Sequence, residues 1–326
     1  SARSSPHRRA VDGTIRPRSA AHRDPITGPC HRDFPPELLF SLSPESRVFI
    51  YNRLAKIPGN PDHALPYVLP DLAQIDQSDL NRALREGLKT LSYQRDSIRC
   101  LSDAHLLEGL VENADELLRL KRLLVSTPSL TVEVSRESLL QHDEVVRYWA
   151  RNQGKSSRSL LRMLADSPDL DSLDIVHFLP PVPQAILNRF PDEHLPPSIN
   201  CFWTALNFFN REPDHSYLPL PGEVDQAGKR ALSTLQKNYE RITPPYAFGD
   251  VLGLFAKRSD TSTLELLHTV SYIADDIVMT KNGAGTFTPF SLMTLDRVVA
   301  LFAWPEGIEV RAFRLPPTSP PPAIHR

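Results

Sequence analysis

Apolar positions divide the chain into a helical half and a strand-rich half. In the first half they recur every three or four residues, the spacing of one face of an α-helix. Ser78 can cap a helix that runs to about Leu91. Ser102 can cap a longer one, with an apolar stripe that includes Leu106, Leu107, Leu110, Ala114, Leu117 and Leu120. A third amphipathic run covers about Arg136 to Arg151. Residues 202–209 are apolar on nearly every face, as in a buried helix, and about 224–240 is amphipathic again. Three β-like runs come next, at 247–256, 268–274 and 277–282. Helices followed by strands, with no βαβ alternation, predict an α+β fold.

Proline divides the pattern further. The chain of 326 residues has 31 prolines against only 13 glycines. Six prolines fall in residues 1–36 and five in 316–322. The first 24 residues carry six arginines and almost no large apolar side chain, so they cannot offset their ordering entropy by burial. They read as a disordered basic leader. Pro180, Pro181, Pro183, Pro191, Pro196 and Pro197 mark a second cluster. Proline removes a donor and biases its predecessor away from helix, which predicts an extended connector there. The expected layout is a leader at 1–36, a helical domain at 37–180, a connector at 181–197, an α+β domain at 198–313 and a tail at 314–326.

Composition narrows the function classes. The formal net charge is −2, which gives no global attraction to nucleic acid or to an anionic membrane. No apolar run approaches the roughly 18–20 residues that span a bilayer. Three cysteines, Cys30, Cys100 and Cys201, are too few for a disulfide scaffold. His142, His177, His194 and His215 lack metal-ligand spacing, and neither Cys30 nor Cys100 has a CxxC partner, so no metal is expected. No Gly-rich phosphate motif is present, and no cofactor is expected. The chain begins at Ser1 and not at Met, which a cleaved signal peptide and a cloning boundary both fit; the former implies a secreted or periplasmic setting.

Candidate chemistry centres on Cys201. Ser198 and Asn200 place it in the first turn of the buried helix, where free N–H groups and the positive dipole end favour a thiolate and can hold an oxyanion. His268 opens the second β-like run and is the natural proton partner for a cysteine nucleophile. A third polar group should orient the ring. Register depends on the hairpin. A two-residue loop, Asp275-Asp276, puts His268 opposite Gly283 and on the face of Lys281. A three-residue loop, Ala274 to Asp276, pairs it with Asn282 and puts Thr280 on its face. Asp-Asp lacks the glycine that short hairpins favour, which selects the longer loop, with Asn282 as third member and Thr280 in reserve. Asp250 reads as a residue that fixes a strand start by bonding nearby N–H groups. Phe202, Trp203, Phe208 and Phe209 lie on one helix and read as core.

These residues resemble a family. A cysteine opens a buried helix, Gly249-Asp250-Val251-Leu252 stands about 50 residues later, and a histidine begins the hairpin His268 to Asp276. The order is similar to the papain-like cysteine hydrolases, most of all the NlpC-type cell-wall peptidases, over roughly residues 198–302. That branch usually has Asp-Cys-Ser-Gly at the nucleophile, where this chain has Asn200-Cys201-Phe202-Trp203. Its usual third residue is a histidine twelve positions past the first, and Thr280 stands there. Lys281-Asn282-Gly283 is similar instead to the stretch that bears the orienting asparagine in papain. The resemblance implies a thiol hydrolase, a peptidase or amidase acting through a thioester, and a peptide substrate such as bacterial cell-wall stem peptide. An inactive papain-like binding or scaffolding protein, or an acyltransferase or deamidase, is the alternative.

Overall fold

A six-stranded antiparallel sheet organises the molecule. The computed structural model describes residues 35–54, 66–95, 98–125, 133–151, 155–189, 199–218, 224–257, 263–283, 290–302 and 307–316. All of them belong to one compact unit. Residues 1–34 of the expected leader (1–36), 190–197 of the connector and 317–326 of the tail lie outside the described residues.

The first half supplies helices α1 (Pro36–Ser41), α2 (Pro44–Leu54), α3 (Leu72–Asp76), α4 (Arg82–Leu91), α5 (His105–Glu108), α6 (Ala114–Val125), α7 (Arg136–Gln141), α8 (Asp143–Trp149) and α9 (Lys155–Ala165). Short strands β1 (Tyr67–Val68), β2 (Tyr93–Arg95), β3 (Ile98–Leu101), β4 (Glu133–Ser135) and β5 (Ser172–Asp174) interrupt them. Then come α10 (Pro181–Arg189), α11 (Cys201–Leu206) and α12 (Val224–Asn238). The large sheet is built from β6 (Glu240–Ile242), β7 (Val251–Lys257), β8 (Leu264–Ala274), β9 (Ile277–Lys281), β10 (Phe290–Thr294) and β11 (Ile308–Arg314), with α13 (Leu295–Phe302) before the last strand. Its order is β10-β9-β8-β7-β11-β6. The mixed helix-and-sheet class agrees with the α+β expectation.

Local competition moved several boundaries. Asn81, not Ser78, caps α4: its Oδ1 accepts from Leu84 N at 2.8 Å, while Ser78 donates to the carbonyl of Ile75 at 2.6 Å. Ser102 caps nothing and bonds Tyr93 across a hairpin at 2.7 Å, so the long helix expected there is two, α5 and α6. His142, extended at φ −137°, splits the third run into α7 and α8. The connector is also corrected. Pro181 to Arg189 is helical, not extended, because prolines at the first and third positions fall where a helix N–H has no internal partner.

Sheet parity decides what each face buries. On the front face, Val251, Phe255, Leu266, Ile273, Met279 and Phe313 pack under α11, α12 and residues of α8–α10. On the back, Leu252, Leu254, Val270, Val278, Met293 and Ala312 pack against α13 and against Tyr51, Tyr93 and Cys100 from the first half. β7 is therefore buried on both sides and reads as one continuous apolar run. The helical half covers both faces, so it and the strand-rich half share their cores instead of forming separate domains.

Two irregularities set the register of β8. The hairpin turn is the two-residue Asp275-Asp276, both at positive φ (47° and 65°), and Ala274 pairs with Ile277. A bulge between Tyr272 and Ala274 then shifts the ladder by one, giving Tyr272 opposite Val278. The short loop plus the bulge thus reproduces the alignment expected of a three-residue loop. A second bulge at Leu267 lies between the Leu254–His268 and Phe255–Leu266 pairs. Leu266 and His268 consequently face opposite sides.

Candidate functional site

Cys201 is the first residue of α11, as its sequence position requires. The Asn200 side chain caps the helix, accepting from Trp203 N at 3.1 Å, a contact worth about 1 kcal/mol. Every residue of α11 is buried, and Cys201 is only 4% exposed. Its neighbours on the sheet are Thr269 and Lys281, both on the front face. The Thr269 backbone and hydroxyl and the first N–H groups of the helix favour the thiolate, but burial outweighs them and pushes the thiol up to about 11. The Thr269 hydroxyl is directed at the Cys201 sulfur, while the Ser271 hydroxyl oxygen lies buried without a hydrogen-bond partner among the described residues.

Sequence reasoning passed over Lys281 as a member of this cluster. Its ammonium donates to the carbonyl of Gly283 at 2.8 Å and lies 5.7 Å from the Phe290 ring centroid. Burial pushes it down to about 7, with the Cys201 thiol acting in the opposite direction. The signal available was parity: Lys281 shares a face with Met279, a front-face core residue.

His268 is on the other side of the sheet. It and Thr269 are consecutive in a regular stretch of β8, so their side chains point to opposite faces. The imidazole Nε2 is 2.7 Å from Thr280 Oγ1, and its ring centroid is 5.2 Å from that of Phe302 on α13. Its Nδ1 is buried with no hydrogen-bond partner among the described residues. The structure joins His268 to the reserve third member, Thr280. The other candidate, Asn282, donates to Met293 Sδ at 3.4 Å instead. The proposed pairing of Cys201 with His268 is corrected here: the sheet stands between them.

Burial pushes His268 down to about 3, from an ordinary value of 6.5. The unfolded chain therefore binds a proton between pH 3 and 6.5 that the folded chain refuses. Stability should be fully present above pH 6.5 and fall as pH drops toward 3, by up to about 1.4 kcal/mol per pH unit. His268→Gln, which cannot titrate, should flatten that part of the urea-midpoint profile. An unchanged slope would show that other groups cause it.

Asp250 fixes the strand start as expected, accepting from Ala247 N at 2.7 Å. It also holds two arginines, Arg151 at 2.8 Å and Arg314 at 2.7 Å. Among the described residues no cluster of three or more His, Cys, Asp or Glu could hold a metal ion, and no helix is long and apolar enough to cross a membrane. Cys100 and Cys201 are both buried, and no disulfide is formed among the described residues. No protein-family model, curated protein or solved structure matches the chain.

Proposed function

We propose that the chain is a non-catalytic binding or scaffolding protein on an α+β framework related to the papain-like, NlpC-type hydrolases. One observation carries this reading: Thr269, not His268, is the β8 residue that meets Cys201. A threonine cannot take the proton of a thiol whose pKa stands near 11, and a thiol that is 4% exposed gives a substrate little access. Neutral His268 completes the back core with Thr280 and Phe302 in place of a catalytic role.

Lys281 favours a second reading. With its pKa near 7, part of it is a neutral amine at neutral pH. It could take the Cys201 proton while the sulfur attacks an amide carbonyl. The proton would pass to the leaving amine, and water would hydrolyse the thioester, giving a peptidase or amidase without a histidine.

Iodoacetamide labelling, read by mass spectrometry of the Cys201 peptide, separates the two. The binding reading expects a neutral-pH rate about 100-fold below free cysteine, unchanged by Lys281→Met or His268→Gln. A rate equal to or above free cysteine overturns it. If Lys281→Met then slows the reaction and His268→Gln does not, the lysine-assisted hydrolase stands.

A further inference from the structure

The front face is not completely covered at the β7–β11–β6 end. Past Leu232 and Gln236, α12 runs out and the chain turns into β6, leaving a cavity of about 350 Å³. Its floor is aromatic, with the Phe255 and Phe313 rings 6.5 Å apart between centroids. Phe255 can lie across the sheet there because its neighbour is Gly253: a Cβ on that glycine would stand 2.7 Å from the Phe255 ring. The cavity is therefore built by a residue choice, not left by chance packing.

Two guanidinium groups border it. Arg311 lies over the Phe255 ring, 4.9 Å from the centroid, and its Nε meets Glu309 at 2.6 Å. Among the described residues its two terminal nitrogens bond no protein group. Arg241 is exposed; its backbone pairs with Phe313 in the sheet, and among the described residues its guanidinium makes no hydrogen bond or close ion pair and acts on Glu309 only at longer range. Glu309 is held below the usual carboxylate range by Arg311 and stays ionised at neutral pH. The rim thus carries two positive charges and one negative. An apolar floor with uncommitted guanidinium donors suits a ligand that is apolar at one end and anionic at the other. Such a volume is at the small end of ligand pockets.

We propose that this cavity binds a small amphipathic anion, an aromatic or acyl body bearing a carboxylate or sulfonate. The body rests on Phe255 and Phe313, and the head group is held between Arg241 and Arg311. The proposal rests on the binding reading above and gives that reading a ligand class. Glu309 competes with the ligand for Arg311 and sets an upper limit on its affinity.

The test is a fluorescence titration of the full chain with 8-anilinonaphthalene-1-sulfonate and, separately, with uncharged N-phenyl-1-naphthylamine. The sulfonate should saturate at one per chain and bind more tightly than the uncharged probe. Arg241→Met with Arg311→Met should weaken the sulfonate about tenfold or more and leave the uncharged probe unchanged. Glu309→Gln should tighten the sulfonate, and Leu232→Trp, which fills one wall, should abolish both. Unaltered circular dichroism and urea midpoints certify that the variants are folded. Equal binding of the two probes overturns the proposal, as does sulfonate binding that survives the double arginine change or Leu232→Trp. These outcomes are independent of Cys201 labelling: a fast thiol defeats the binding reading, whereas an arginine-insensitive sulfonate defeats this cavity alone.

Discussion

Expressed without the helical half, residues 199–316 should fail to form a cooperative fold. Phe248, Ile273, Met279, Phe290 and Leu292 are all under 4% exposed, and much of the cluster around them comes from residues 134–186. On the back face, Leu252, Val270 and Val278 lose Tyr51, Tyr93 and Ile98. Polar ties go with the apolar ones. The Tyr148 hydroxyl donates to the carbonyl of Ile273 at 2.6 Å, and Arg95 donates to the carbonyl of Leu301. A sheet stripped on both faces leaves a contiguous apolar surface of the kind that monomers do not expose. The fragment should be insoluble or lack near-UV circular dichroism. A soluble fragment with a sharp urea transition would show that 199–316 is a domain in its own right.

Asp250→Ala should destabilise the whole chain by about 3–5 kcal/mol. The carboxylate is fully buried and satisfies three separate segments: Ala247 N, Arg151 from the helical half and Arg314 at the end of β11. Removing it leaves two guanidinium groups with only partial access to water, their side chains 16% and 31% exposed. For a chain of this size the loss corresponds to a fall in Tm of roughly 10 °C. Asp250→Asn keeps the shape and one acceptor, and it should fall between the two. A Tm within about 2 °C of the parent for the alanine variant would mean that the arginines are solvated in both states.

The strands were legible because their apolar content is continuous: 247–256, 268–274 and 277–282 each overlap an observed strand. So was the placement of Cys201 in a first turn, since Asn200 could be read as a cap. Helix ends were less legible where two polar residues compete for one role, as Ser78 and Asn81 do. The side on which His268 falls was not legible. Alternation assigns faces only while the ladder is regular, and β8 contains two bulges that no residue type announces. The turn shows the same limit. Asp275-Asp276 adopts the positive-φ geometry that glycine usually supplies, and the bulge behind it cancels the one-residue difference. Lys281 and the arginines around the front cavity escaped notice for a different reason. Their significance comes from partners in distant segments, which spacing along one strand does not reveal.

The bulge at Leu267 also bears on how this chain could change by loss of a single codon. If Thr269 were deleted, the spare residue at 267 would take up the slack. Leu267 would pair with Leu254, His268 would slide into the place opposite Gly253, and the ladder from Val270 onward would keep its partners. That one deletion would turn the imidazole from the back of the sheet to the side of Cys201, with no substitution anywhere. Strand length, read one residue at a time, is then the variable that separates a thiol backed by threonine from a thiol backed by histidine. In this framework the two arrangements are neighbours in sequence space.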